Sequence, residues 1–303
     1  MVDFSGFVNR LHEQGSILAA IDQLPATRGA ISPFVPGETV AAAVSAVDDV
    51  VAAGMSASVA YLPDPQALAS CLLVHMQTIE ALDSANLAQG VDLMVDIAAL
   101  GLAREVDAGA ITADLAVLCT AAEQVGMTVT IDGVALEHLD DTLSIHAALA
   151  GDHPDLGLTV AANLLRSEAD CGDLGRTGAR VRLVRQEASE AQGLAFTSAH
   201  EVDKSYVRCA RLLMSSGART IIATHDPRLV EIAIALAVRA DGADHSFQFR
   251  LGVRSEAARE LASTGSTVSI LVPFGPDWAR YLSRRIALKP NSLSQAARAA
   301  LSR

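Results

Sequence analysis

Residues 268–290 read VSILVPFGPDWARYLSRRIALKP, and this stretch contains an apolar run, a turn and an arginine-rich segment in that order. The apolar run at 268–272 predicts a buried strand, and the Pro-Phe-Gly-Pro turn marks the change from strand to helix. Helical spacing would place Tyr281 and Arg285 on one face, with Arg284 beside them. Two adjacent guanidinium groups favour an anionic ligand such as a carboxylate or phosphate, with a solvent-exposed helix surface as the alternative.

The same order of strand and helix recurs along the rest of the chain. Glycine or polar residues bound eight short β-prone runs, at 57–62, 91–97, 128–131, 158–162, 181–185, 220–223, 247–251 and 268–272. Helix-like segments follow the first seven runs, among them 111–124, 139–149, 204–215 and 229–240. Eight strand–helix units within about 250 residues predict an α/β fold, a (β/α)8 barrel of the TIM type, with a doubly wound open sheet as the alternative.

The first 53 residues are expected to form a helical segment packed outside the barrel. Apolar residues recur there at three- and four-residue steps, prolines interrupt the pattern, and Thr39 leads into a helix rich in alanine and valine. We therefore expect one domain over 1–303, with the helical segment at 1–53 and the barrel at 54–303.

The net charge of −12 argues against non-specific binding to nucleic acid or to an anionic membrane surface. The amino terminus lacks the pattern of a signal peptide, and no apolar run is long enough to span a bilayer, so a cytoplasmic location is expected. The four cysteines lack paired spacing and are predicted to be buried free thiols rather than disulfide or zinc ligands: Cys71, Cys119, Cys171 and Cys209.

Polar and charged residues gather where the predicted strands end, which is where (β/α)8 barrels carry their active sites. This clustering of polar residues favours a role for Arg284 and Arg285 in an anion-binding site over their exposure on a helix surface without a ligand. A metal site is disfavoured because only one close pair of ligand types occurs, and the glycine motifs of nucleotide-binding loops are absent from the sequence. The strand-end residues are Asp96, Asp132, Asn163, Arg182, Arg185, Thr224, His225, Asp226 and Arg250.

Several motifs together resemble the flavin-dependent proline dehydrogenases, a family with a distorted (β/α)8 barrel. The segment YLSRRIA at 281–287, followed by Lys289 and Pro290, is similar to that family's YLxRRIAExP signature. Four more stretches occur in the family's order: FVPGET at 34–39, VRLV at 181–184, ATHDPR at 223–228, and FQF at 247–249 with GVR at 252–254. These resemble its FVAGET, VRLVKGAY, ATHDPR and FQFLYGVR motifs.

The resemblance implies FAD-dependent oxidation of L-proline, or a close analogue, to an imine of the 1-pyrroline-5-carboxylate type. This is the first step of proline catabolism, with hydride transferred to the flavin. A membrane quinone would take the electrons, which implies a peripheral position at the membrane. Arg284 and Arg285 would bind the substrate carboxylate, Asp132 would hold the arginine cluster, and Arg182 would lie near the hydride-accepting flavin nitrogen. The implied cofactor-binding residues are Gly133, Ala161, Arg185, Gln186, Glu187, Thr224 and His225.

The chain departs from the family pattern at the expected substrate pocket. Met94 stands where the family has a lysine, Leu271 where a tyrosine packs on the substrate ring, and Arg250 at an apolar position. On the flavin side, Ala161 replaces a glutamine and Gln186 a glycine. These changes predict a shift towards a substituted proline or another small amino or imino acid. The alternative is a degenerate, non-catalytic homologue that keeps the barrel and a small-molecule pocket.

Overall fold

A computed structural model describes residues 32–102, 106–132, 136–185 and 193–282. Its centre is a closed barrel of parallel strands in sequence order, in which the last strand pairs with the first. The predicted barrel is confirmed, and its closure excludes the open sheet. The strands are β1 Ser56–Tyr61, β2 Asp92–Asp96, β3 Thr128–Asp132, β4 Gly157–Ala161, β5 Arg180–Val184, β6 Arg219–Ala223, β7 His245–Arg250 and β8 Val268–Phe274.

Helices follow the strands on the outside of the barrel. The helix predicted at 139–149 is confirmed to the residue, and the helices predicted at 111–124, 204–215 and 229–240 are confirmed with different ends. The predicted helix that carries Arg284 and Arg285 extends outside the described residues. The helices are α1 Val40–Ala52, α2 Cys71–Ser84, α3 Ile97–Leu100, α4 Ala108–Gln124, α5 Leu139–Leu149, α6 Ser167–Arg176, α7 Ala199–Ser216, α8 Pro227–Arg239 and α9 Ser255–Ser263. Short 3-10 turns occupy Leu68–Ser70 and Leu136–His138.

Helix α1 begins where the sequence predicted. The hydroxyl oxygen of Thr39 accepts a hydrogen bond from the backbone N–H of Ala42 at 3.2 Å, which caps the helix. Of the expected helical segment at 1–53, the structure describes residues 32–53. Residues 1–31 lie outside the described residues. Within the described part of the chain, none of the helices is both long and apolar enough to cross a membrane.

The two faces of the barrel strands carry different side chains. Outward positions such as Val59, Leu93 and Leu183 are buried in the main hydrophobic core beneath the helices. Inward positions carry polar groups that are at most 2% exposed: Ser58, Thr130, Arg182 and Gln248. Barrel interiors of this type are normally filled by branched apolar residues. Buried hydrogen bonds and ion pairs therefore hold this interior together.

One such ion pair lies near the amino-terminal end of the barrel and is called the lower pair. Arg180 Nη2 contacts Asp92 Oδ1 at 3.0 Å, and Arg180 Nη1 donates to the hydroxyl of Thr130 at 2.7 Å. Thr128 donates to Asp92 at 2.8 Å. A Cβ atom at Gly157 would come within 2.7 Å of Arg180 Nη1, so glycine leaves room for the guanidinium. A polar cavity of about 270 Å³ opens beside this pair.

The four cysteines are buried free thiols, which confirms the sequence prediction. Burial, with a smaller contribution from Glu123, raises the pKa of Cys119 to about 12. The neighbouring Cys209 on α7, together with burial, raises the pKa of Cys171 on α6. At neutral pH, Cys119 and Cys171 therefore stay protonated and unreactive.

His75, on α2, is predicted to make the protein sensitive to acid. Its ring stands edge-on to Tyr61 at 6.0 Å, and its Nδ1 is buried without a hydrogen-bond partner among the described residues. Burial lowers the pKa of His75 to about 4. Between that value and the unfolded value of about 6.5, only the unfolded chain binds the proton, so stability falls as the pH falls through this window. The loss approaches about 3 kcal/mol by pH 4.

Urea unfolding of the wild type and of His75→Phe at pH 7 and pH 4.5 measures this effect. The variant should lose less stability between the two pH values than the wild type. Burial also lowers the pKa of His146, whose contribution remains in both proteins and cancels in the comparison. Equal losses in the two proteins would show that His75 does not cause the acid sensitivity.

Candidate active site

An ion pair near the carboxyl end of the barrel, called the upper pair, is the centre of the site. Arg182 on β5 donates from Nη1 to Asp132 Oδ1, at the end of β3, over 2.8 Å. The hydroxyl of Thr159 on β4 donates to the same carboxylate oxygen at 3.0 Å. The Arg182 side chain is 2% exposed, whereas that of Asp132 is 19% exposed. Asp132 is therefore the member of the pair that is open to a ligand or solvent.

Gln248 on β7 contacts the guanidinium of Arg182 from another side. Arg182 Nε donates to Gln248 Oε1 at 2.6 Å, and Gln248 Nε2 donates to the hydroxyl of Ser58 on β1 at 2.9 Å. A continuous chain of buried hydrogen bonds thus crosses the barrel from β1 through β7 and β5 to β3. Such a network is costly to disrupt because each buried group would lose its partner.

An apolar cluster lies on β1, β2 and β8. Met94 on β2 and Leu271 on β8 form it together with Ala60 on β1, separately from the main hydrophobic core. Met94 pairs with Ala60 in the sheet register, and Leu271 pairs with Arg250. The structure therefore brings two of the predicted substrate-binding residues, Met94 and Leu271, together in one patch, with Arg250 beside it.

His225 follows β6 and is fixed by its neighbours. Its Nε2 accepts a hydrogen bond from the backbone N–H of Arg250 at 2.9 Å, and its backbone oxygen accepts one from Arg254 at 2.9 Å. Because Nε2 accepts, a neutral His225 carries its proton on Nδ1. The Thr224 hydroxyl accepts from the backbone N–H of Asp226 at 3.2 Å, which leaves its own proton to donate.

Three of the charged strand-end residues have structural contacts. Asp96 caps α3 by accepting from the N–H groups of Ala98 and Ala99, and Asp226 caps α8. Arg185 contacts Asp203 at 2.5 Å and donates to the backbone oxygen of residue 199 at 3.0 Å. Ala161, the predicted cofactor contact on β4, adds little bulk at its strand end and accepts a hydrogen bond from Ser167 through its backbone oxygen.

Sequence reasoning missed Gln248, Ser58 and Thr159. One signal was available, because Gln248 lies two residues before Arg250 on the same strand and therefore points to the same face. Five predicted site residues lie outside the described residues and stay predictions: Gly133, Gln186, Glu187, Arg284 and Arg285. Within the described ranges, no group of three or more histidine, cysteine, aspartate or glutamate side chains could hold a metal ion.

Solved structures with a similar fold include proline utilization A from Bdellovibrio bacteriovorus, inactivated by N-propargylglycine. It matches with a TM-score of 0.78 at 18% sequence identity, over 88% of this chain and 33% of that chain. This chain thus spans about a third of the length of that protein. Similarity at this level of identity supports the barrel fold.

Sequence comparison identifies the family. Proline dehydrogenase 1 of Bacillus subtilis strain 168 is 28% identical over 287 residues, which is 91% of this chain and 92% of that protein. Proline dehydrogenase of Deinococcus radiodurans is 25% identical over 267 residues, or 86% of each chain. A family model described as proline dehydrogenase matches residues 37–288, which include every strand of the barrel. The chain therefore belongs to the proline dehydrogenase family of oxidoreductases.

Proposed function

We propose that this protein oxidises L-proline, or a close analogue, to an imine of the 1-pyrroline-5-carboxylate type with FAD as its cofactor. The observation that carries the proposal is the upper pair, Arg182 and Asp132, at the end of the barrel where enzymes of this fold place their chemistry. A buried guanidinium is costly to maintain, and packing alone would be served as well by an apolar residue. No observation favours the non-catalytic alternative.

The donor groups near the upper pair fit a flavin. Arg182 offers a buried positive charge and Thr224 a hydroxyl proton, while Ala161 leaves space at the end of β4. The role of His225 is proposed from the family resemblance. When bound, FAD supplies the hydride acceptor. Arg182 stabilises negative charge that develops on the cofactor, and Thr224 and His225 help to hold it. The same role is proposed for the family-derived positions Gly133, Arg185, Gln186 and Glu187.

The substrate is held between charged and apolar groups. Arg284 and Arg285 bind its carboxylate, in accordance with the family signature that contains them. The apolar cluster of Ala60, Met94 and Leu271 offers contact to the carbon atoms of the substrate ring. This patch carries no side-chain hydrogen-bond donor, which favours a substrate whose ring or ring substituents are apolar.

The electron acceptor is proposed to be a membrane quinone, reached by a peripheral contact of this protein with the membrane. The support for this acceptor is the resemblance to the family. A cytoplasmic location is proposed from the sequence, whose amino terminus lacks the pattern of a signal peptide.

A visible absorption spectrum of the purified protein, recorded before and after anaerobic addition of excess L-proline, tests the proposal. The expected result is a flavin band that is bleached by L-proline and not by D-proline. If L-proline leaves the flavin band unchanged but a proline with an apolar substituent bleaches it, the protein would still be a flavin-dependent oxidoreductase. Its proposed substrate would then be the substituted proline. Absence of a flavin band, even after incubation with FAD, would contradict the proposed function.

A further inference from the structure

We propose that Gln248 is a positioning residue that fixes the guanidinium plane of Arg182 without cancelling its charge. This inference rests on the proposed role of Arg182 beside the flavin. It extends the site to a residue on β7 that the strand-end pattern does not single out.

The ion pair with Asp132 does not by itself orient Arg182. The hydrogen bond to Asp132 leaves from Nη1, and Thr159 also lies 3.4 Å from this nitrogen. Contacts at one corner of a planar group do not by themselves fix its tilt. Gln248 engages Nε, on a different edge of the planar group, at 2.6 Å. Two contacts on different edges define the plane of the guanidinium.

The orientation of the Gln248 amide follows from the chemistry of its neighbours. The guanidinium of Arg182 can only donate, so the amide oxygen must face it. The amide NH2 group then faces Ser58, whose hydroxyl oxygen accepts at 2.9 Å. Ser58 thereby holds Gln248 in the one orientation that can receive the Arg182 N–H group.

The neutrality of Gln248 is the second part of the inference. Arg182 already has one carboxylate partner, Asp132, so the pair is neutral overall, and a second carboxylate at position 248 would give the group a net charge of minus one. Gln248 is 2% exposed, so water would screen such a charge poorly. A neutral acceptor lets Arg182 keep a fixed position and still favour negative charge on a neighbouring ligand.

Three variants separate these effects, each measured in the FAD-loaded protein. Gln248→Met removes the acceptor at similar volume, and we expect kcat for L-proline to fall about tenfold or more. KM should change less than about threefold, because other residues bind the carboxylate. Gln248→Glu keeps an acceptor but adds charge, and should shift the flavin midpoint potential to a more negative value. Thr128→Val removes one hydrogen bond in the lower part of the barrel and should leave kcat and potential unchanged.

The flavin potential of Arg182→Met distinguishes the possible failures. If Arg182→Met leaves both potential and kcat unchanged, the proposed role of Arg182 itself is wrong. If Arg182→Met changes them while both Gln248 variants behave as the wild type, the inference about Gln248 is overturned. If circular dichroism shows that Gln248→Met does not fold, Ser58→Ala is used in its place. The Ser58→Ala variant removes the hydrogen-bond acceptor of the Gln248 NH2 group and leaves Gln248 itself in the protein. A folded Ser58→Ala protein with wild-type kcat and potential would also overturn the inference.

Discussion

Replacing Arg182 with methionine is expected to lower kcat/KM for L-proline by about a thousandfold, at the upper end of the effect of removing one preorganised charge from an active site. Methionine fills much of the buried volume, and Asp132 keeps its hydrogen bond from Thr159 and its partial exposure to solvent. The protein should therefore fold and lose mainly its chemistry. Steady-state kinetics with L-proline, together with urea unfolding, measures the two effects separately.

Arg180→Met is the matched control, because Arg180 lies two residues earlier on the same strand and belongs to the lower pair. Its removal should reduce stability but change kcat/KM by less than about threefold, since the group is remote from the carboxyl end of the barrel. Equal losses of activity in the two variants would indicate that barrel packing, rather than the charge of Arg182, supports catalysis.

Replacing Asp92 with asparagine is expected to lower the free energy of unfolding by about 3 to 5 kcal/mol. The carboxylate is 6% exposed and accepts hydrogen bonds from Thr128 and Thr130 in addition to its contact with Arg180. An asparagine of the same size leaves the guanidinium of Arg180 buried without a counter-ion. Chemical denaturation at pH 7 measures the loss.

Asp155→Asn provides the comparison for that experiment. Asp155 also pairs with an arginine at the amino-terminal end of the barrel, Arg219, but its side chain is 53% exposed. Water screens this pair, so its loss should cost less than about 1 kcal/mol. Similar losses for Asp92→Asn and Asp155→Asn would contradict the account of the lower pair as a buried structural contact.

The positions of the elements follow from local sequence patterns. The period of apolar residues and the glycine and proline boundaries predicted the strands, and the helix at 139–149 was predicted to the residue. The prediction succeeded because burial of one helical face, or of a whole strand, requires a local pattern of apolar residues. This pattern can be recognised without knowing which elements the segment packs against.

The contacts of the site depend on distant residues and were predicted only in part. Asp132 and Arg182 were predicted separately as site residues, but their mutual pairing joins positions 50 residues apart and depends on strand register. Gln248 and Ser58 are separated by 190 residues. Asp96 and Asp226 lie at the predicted end of the barrel, yet they cap helices, because an aspartate that follows a strand also precedes the next helix.

The polar interior of the barrel has a consequence for how the chain is made. The two inward carboxylates of the upper and lower pairs, Asp132 and Asp92, lie in the first half of the barrel, whereas their arginine partners both lie on β5. A nascent chain that has emerged from the ribosome only as far as β4 carries these two acids without their counter-ions. Premature closure of a half-barrel would bury them unneutralised, so docking of the first four strands should await synthesis of the fifth.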